Sequence, residues 1–454
     1  MSETVSALTR RLAAYIAAAA ETALPERVAE KTRLHTLDTL AAMLSGSRLD
    51  AGRLALTFAA KQGGVAEATL IGAGALAPAM SAALANGMSG HADETDDSHL
   101  GGRFHPGCGI VPAALAVAER EAASGAALLR AITLGYDVGA RINMALGLAN
   151  PATSRHSTHT LGITFGATAA AASLLRLSPE QVGHAMSYAA QQASGIPFWN
   201  RDSHHVEKAF DFGGMGARNG VFAALAVAEG FSAVDDPFTG PHSVFTAFGE
   251  RPDPSLLVDG LGERFEIEAA SIKKWCVGSP IQAVLDAVEV LSAGGGLQVE
   301  AIRRIDITMP DDRVHIVDNR EMPDVCVQHL AALMLVDGSI TFASCHDEAR
   351  MRDPAVLALR QRIRLVPSAE LTAAVPARQA IVEIETVSGM KLRHHARAVR
   401  GTPDNQMTPA EVEAKARDLV APVIGTERAE RLIGCVGRLD RLPSVLELRP
   451  LLQA

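Results

Sequence analysis

Residues 380–399 read Ala-Ile-Val-Glu-Ile-Glu-Thr-Val-Ser-Gly-Met-Lys-Leu-Arg-His-His-Ala-Arg-Ala-Val. Apolar and charged residues alternate on both sides of Ser388-Gly389, the pattern of two strands joined as a hairpin. The strands expected at Ala380–Val387 and Leu392–Val399 have companions nearby. Ile302–Met309 sets Ile302, Ile305 and Ile307 among charges, and Arg362–Val366 reads the same way. Helices at Pro280–Leu291 and Val325–Leu335 are interspersed.

Outward from this region the texture is different. From the N-terminus to about residue 265 the chain is rich in Ala and Leu, as in Leu34–Leu44, Pro112–Ala123, Ala126–Leu146, Ala167–Leu175, Pro179–Gln192 and Ala217–Ala228. Small residues at this density let helices approach closely. Ser178-Pro179-Glu180-Gln181 opens a helix well, with a serine N-cap, proline at the first helical position and a Gln at the third. Past Pro403 the helical texture returns, and Thr408-Pro409-Ala410-Glu411 opens another helix. The expected fold class is therefore mainly α. A large all-helical domain (residues 1–268 and 403–454) carries an inserted, smaller α+β domain (269–402). A chain of 454 residues is long enough for two cores.

The composition excludes some partners. With 48% apolar and 20% charged residues the chain is globular, and a net charge of −9 gives no basic surface for nucleic acid or an anionic membrane. The five cysteines, Cys108, Cys276, Cys326, Cys345 and Cys435, never fall in a CxxC spacing, which suggests a reducing compartment and no structural zinc. Arg10-Arg11 followed by Leu12–Ala20 has the outline of a secretory leader. Leu8, Leu12, Ile16 and Ala19 nevertheless share one helical face, so an amphipathic helix and a cytoplasmic protein are expected.

Polar chemistry is concentrated in four places. Gly90-His-Ala-Asp-Glu-Thr-Asp-Asp-Ser-His99 followed by His105-Pro-Gly-Cys108 is the densest. It allows a solvated acidic loop, a divalent-metal site built from Asp96, Asp97, His99 and His105, or an acid–base site at a helix N-terminus. Ser154-Arg-His-Ser-Thr-His-Thr160 precedes Gly162 and Gly166, glycines expected ahead of an alanine-rich helix, where exposed backbone N–H groups can hold a carboxylate. His204-His-Val-Glu-Lys208 precedes Phe212-Gly-Gly. Lys273-Lys274-Trp275 sits where the texture changes, and lysines beside aromatic and small residues suit an anion.

Taken in order, these stretches resemble the MmgE/PrpD family, which includes 2-methylcitrate dehydratase, cis-aconitate decarboxylase and iminodisuccinate epimerase. His91-Ala92 through Asp96-Asp97-Ser98-His99, His105-Pro106-Gly107 and Pro112–Leu115 are similar to the family's "HAxDFDDTH…HPG…PAALA" stretch. Arg218-Asn219-Gly220 after Lys208, and Gly401–Thr408, continue the match. The resemblance implies a helical domain with an α+β lid domain, a homodimer, a site between the domains, and neither an organic cofactor nor an obligatory metal. It implies as catalytic Glu94 (where the family has Asp), Ser98 (where it has Thr), His105, His156, Lys208 and Lys273. Arg155, His159, Lys274 and Asp97 are expected to contact substrate, with His159 and Lys274 as competitors for the places of His156 and Lys273.

The implied activity is that of a lyase on a small di- or tricarboxylic acid, like 2-methylcitrate dehydratase, drawing a proton from beside a carboxylate. An epimerase like iminodisuccinate epimerase is the alternative. Gly278 stands where the decarboxylases carry a further histidine, which weighs against cis-aconitate decarboxylation. From a different class, the Asp96, Asp97, His99 and His105 set would make a metal-dependent hydrolase.

Overall fold

The computed structural model describes residues 5–148, 155–202, 204–293 and 297–454. Ser154 of the second polar stretch lies outside them. The chain divides into two units: Met1–Ala92, Asp96–Ser271 and Pro409–Ala454 form the first, while Asp93–Thr95 and Ile272–Thr408 form the second. The fold is mainly helical, as expected.

The first unit opens with α1 (Ala7–Ala18), capped by the Ser6 side chain, which accepts from Thr9 N. Leu12, Ala13 and Ile16 are buried, so the stretch with a leader's outline is an amphipathic helix packed into the core. It is followed by α2 (Glu26–Gly46), α3 (Asp50–Lys61), α4 (Ala79–Gly90), α5 (Pro106–Arg120), α6 (Gly125–Leu146), α7 (Thr158–Leu174) and α8 (Pro179–Gln192). Ser178 and Gln181 make the reciprocal capping box at the start of α8 that their spacing predicts.

Helix α7 is buried on every side and lies against α6. Glycines make this contact possible. A Cβ on Gly139 would fall 2.5 Å from the carbonyl oxygen of Gly162, and one on Gly166 would fall 2.5 Å from that of Gly135. Gly162 and Gly166 thus lie inside α7, where their N–H groups serve the helix ladder, and the carboxylate cradle expected of them is not formed. A short helix, α9 (Val206–Ala209), runs through a single π-turn at Phe210–Gly214 into α10 (Met215–Ala228). Two small antiparallel pairs complete the unit, β1 (Ala68–Leu70) with β2 (Ala75–Ala77), and β3 (Ser98–His99) with β4 (Ala270–Ser271). The C-terminal helices Pro409–Ile424 and Thr426–Gly437 return to α2, where Lys415 Nζ meets Asp38 Oδ1 at 2.6 Å.

The second unit is built on a four-stranded sheet of order β6-β5-β7-β8, formed by β5 (Ile302–Pro310), β6 (Ile363–Ser368), β7 (Ala380–Thr386) and β8 (Lys391–Ala396). β5 and β6 run parallel, and the other pairs are antiparallel. The hairpin closes as its sequence predicts: Glu385 pairs with Lys391, Gly389 takes φ 85°, and Thr386 N donates to Met390 O. Ala380, Val382 and Ile384 face inward in alternation. Helix Gln282–Ala293 packs on β7 and β8, and helix Val327–Asp337 packs on Gln282–Ala293.

Candidate active site

The π-turn at Phe210–Gly214 organises the first unit's polar centre. Inserting one residue into a helix re-aims the side chains around it. Here Phe212 is delivered between two imidazoles: its ring stacks on His159 with centroids 3.4 Å apart, and on His91 at 4.3 Å. His105 completes the group, 5.4 Å from His159 and 5.1 Å from His91. Lys208, one turn before Phe212, stands 5.2 Å from the Phe212 centroid, and Trp199 lies edge-on to both Phe212 and His159.

The stretch between α4 and α5 supplies His91, Asp96 and His105. His91 is the C-cap of α4 and His105 the N-cap of α5. One carboxylate oxygen joins them: Asp96 Oδ2 accepts from His91 Nδ1 at 2.9 Å and from His105 Nδ1 at 3.1 Å. A histidine whose Nδ1–H is given to a carboxylate presents Nε2 for chemistry. The His105 side chain keeps 12% exposure.

His159 sits in the first turn of α7. Burial drives its pKa well below the ordinary histidine value, and the neighbouring charges of His105, His91 and Lys208 push it the same way. Its Nδ1 has no hydrogen-bond partner among the described residues. His159 is a neutral imidazole at neutral pH.

Several expected site residues do other work. The His156 ring is edge-on to Phe248 at 5.1 Å, while His159, three positions farther on and inside α7, stands next to His105. Asp97 was expected at the substrate, but its side chain has 0% exposure and is fully occupied. It accepts from His35 Nδ1 at 2.6 Å, the Tyr136 hydroxyl at 2.7 Å and Gly107 N at 2.8 Å. It thereby anchors the first turn of α5 at Gly107, two residues beyond the His105 cap. Ser98 is a buried residue of β3 paired with Ser271. Arg155 is exposed.

In the second unit Lys273 Nζ donates to the backbone oxygen of Glu94 at 2.7 Å and pairs with its Oε2 at 3.5 Å. The Glu94 carboxylate is thus placed to hold a lysine. Lys274 is spent on Glu289 at 2.5 Å and on the Trp275 ring, so it is the less suitable of the two lysines for substrate.

The four-residue metal set is not assembled. Asp97 faces His35 and Tyr136, while His99 accepts from Gly102 N and turns Nε2 to Glu266. His91, Asp96 and His105 are close enough to share a cation, but their Nδ1 atoms and Asp96 Oδ2 are already joined to one another. Sequence reasoning left His91 and Phe212 out of the site. The Phe-Gly-Gly at 212–214 was the available signal, since two small residues after an aromatic in a helix allow a close backbone approach.

This chain belongs to the MmgE/PrpD family: the family's N-terminal domain matches residues 10–257 and its C-terminal domain matches residues 275–441. It is similar to the cis-aconitate decarboxylase-like protein oryM of Aspergillus oryzae, 27% identical over 408 residues that cover 82% of each chain. It is also similar to the cis-aconitate decarboxylase of Homo sapiens, 24% identical over 95% of this chain and 91% of that one. The cis-aconitate decarboxylase of Aspergillus terreus is 23% identical over 94% and 92% of the two chains. Among the described residues, no helix is long and apolar enough to cross a membrane.

Proposed function

We propose that this chain is a lyase that acts on a small di- or tricarboxylic acid by taking a proton from the carbon beside a carboxylate. The observation that carries this reading is the unlike pair of histidines. His159 is buried and neutral, while His105, 5.4 Å away, is tied through Nδ1 to the Asp96 carboxylate. Two titratable groups set in contrasting environments are what an acid–base pair requires. The neutral His159 is the base, and His105 is the acid, working through Nε2. Loss of the proton adds charge to a group that is already anionic, and the Lys208 ammonium offsets that charge.

In the dehydration we favour, the electrons of the broken C–H bond form a carbon–carbon double bond. The hydroxyl on the next carbon leaves as water with the His105 proton; His159 later gives its proton to solvent and His105 takes one up, which resets the pair. Lys273, steadied by Glu94, is assigned to carboxylate binding on the family resemblance. A second reading, decarboxylation, is favoured by the names of the relatives. There the electrons released as CO2 departs would be taken up by carbon with a proton from an imidazolium. Gly278, where the decarboxylases carry a histidine, ranks dehydration first. Epimerisation would use the same pair with no leaving group in reach. We also propose a cytoplasmic homodimer: the resemblance supports the dimer, and five buried cysteines that form no disulfide among the described residues support a reducing compartment.

Incubating the protein with a panel of di- and tricarboxylates in heavy water, followed by proton NMR and a CO2 assay, tests these readings together. A new alkene signal without CO2 marks dehydration, equimolar CO2 marks decarboxylation, and solvent exchange alone marks epimerisation. Exchange and product absent across the whole panel would remove the proposal.

A further inference from the structure

We propose that Asp211 is a positioning residue for His159, clamping the first turn of α7 to the π-turn that carries Phe212. This rests on the reading of His159 as the base and deepens it. Asp211 stands one residue before Phe212 and is buried. Its Oδ2 accepts from the Ser157 hydroxyl at 2.5 Å, and its Oδ1 accepts from the Thr160 hydroxyl at 2.5 Å. Those two hydroxyls flank His159 in sequence, so one carboxylate grips the turn on both sides of the imidazole. The backbone oxygen of Asp211 also accepts from the Thr160 hydroxyl, at 2.7 Å.

Two observations argue that the clamp serves more than packing. Ser157 is the N-cap of α7, yet it makes no side-chain cap bond to its own helix. The hydroxyl that ordinarily satisfies a helix end is committed to Asp211 instead. Gly195 closes the third side: its carbonyl accepts from Ser157 N at 3.1 Å, and a Cβ there would fall 2.7 Å from Asp211 Oδ1 and 2.9 Å from Thr160 Oγ1. Three chain segments therefore meet at this carboxylate, and the distance between the His159 and Phe212 rings follows from it. Burial pushes the Asp211 pKa up to about 6 although both hydroxyls oppose the shift, so an ionisable group is kept there against its own desolvation.

The test compares Asp211→Ala and Asp211→Asn with the parent protein. His159 is titrated by NMR of its ring protons without substrate, and kcat, KM and the pH profile are measured with the substrate found in the panel above. Loosening the turn admits water to His159, so its pKa should rise by about one unit in Asp211→Ala. The acid limb of kcat/KM should move up with it, because the base must be neutral to act. We expect kcat to fall roughly 10- to 100-fold with KM within about threefold, and Asp211→Asn, which keeps one acceptor, to fall between. A folded Asp211→Ala protein with both the His159 titration and the acid limb unmoved overturns the proposal. Should that variant not fold, Thr160→Val is read in the same way. Turnover surviving in His159→Gln would sink the assignment of the base instead, while the NMR titration would still report on the clamp.

Discussion

His159 and His105 have the same side chain, and their surroundings divide the work between them. One is sealed against Phe212, with the Lys208 ammonium beyond that ring; the other leans on Asp96 and keeps partial exposure. Replacing His159 by Gln should lower kcat by about 10²- to 10⁴-fold with little change in KM, measured on the panel substrate. His105→Ala should lower kcat in a similar range, and unchanged turnover would remove it from the mechanism. Lys208 is expected to act on both binding and rate, so Lys208→Ala should raise KM and lower kcat together. Lys208→Arg restores the charge but not the compact ammonium over Phe212, and a partial recovery of KM is expected.

At the scale of elements, the site depends on how closely helices approach the π-turn. A Cβ on Gly213 would fall 2.1 Å from the carbonyl oxygen of Gly87 in α4, a backbone atom that cannot swing aside. Gly213→Ala should therefore destabilise the protein by about 2–4 kcal/mol, read from the urea midpoint, in the range of other overpacked or strained sites. Substituting Gly230 is different, since nothing lies within 4 Å of its Cβ position and only its positive φ of 96° opposes a side chain.

This contrast also explains what could be read from the chain. Periodicity and caps are local, so the capping box of α8, the amphipathic α1 and the hairpin around Gly389 were legible. The start of α7 was not. Gly162 and Gly166 look like a loop until α6 is known to lie against them, and the π-turn leaves no periodic trace because it shifts the register by a single residue. His105 could be singled out because it caps a helix after a polar run. Choosing between His156 and His159 turns on where that helix begins, which is the least certain feature of any sequence pattern.

For the molecule as a whole, buried ionisable groups shape the response to pH. Burial lowers the pKa of His329, in the helix Val327–Asp337, to about 4, and the Arg360 and Arg350 charges add to this. The unfolded chain takes up that proton first, near the ordinary value of 6.5, so His329 costs stability as pH falls from 6.5 toward 4. Asp38 has the opposite sign: burial raises it to about 6, so its protonated form favours the folded state, and that contribution is lost as pH rises from about 4 through 6. Urea midpoints measured between pH 4 and 7 should show a shallower acid decline for His329→Leu than for the parent. An unchanged slope would show that His329 does not contribute.

The order in which a ribosome delivers this chain has a consequence for how it matures. The first unit is split, and its last piece, Pro409–Ala454, is made only after all of Ile272–Thr408. Until then Asp38 lacks Lys415, and Glu119 has not met Arg449. The nascent helical body must wait, with part of its apolar surface uncovered, until residues 409–454 have followed. A stop codon near residue 408 would therefore leave no smaller working protein, only an unfinished one.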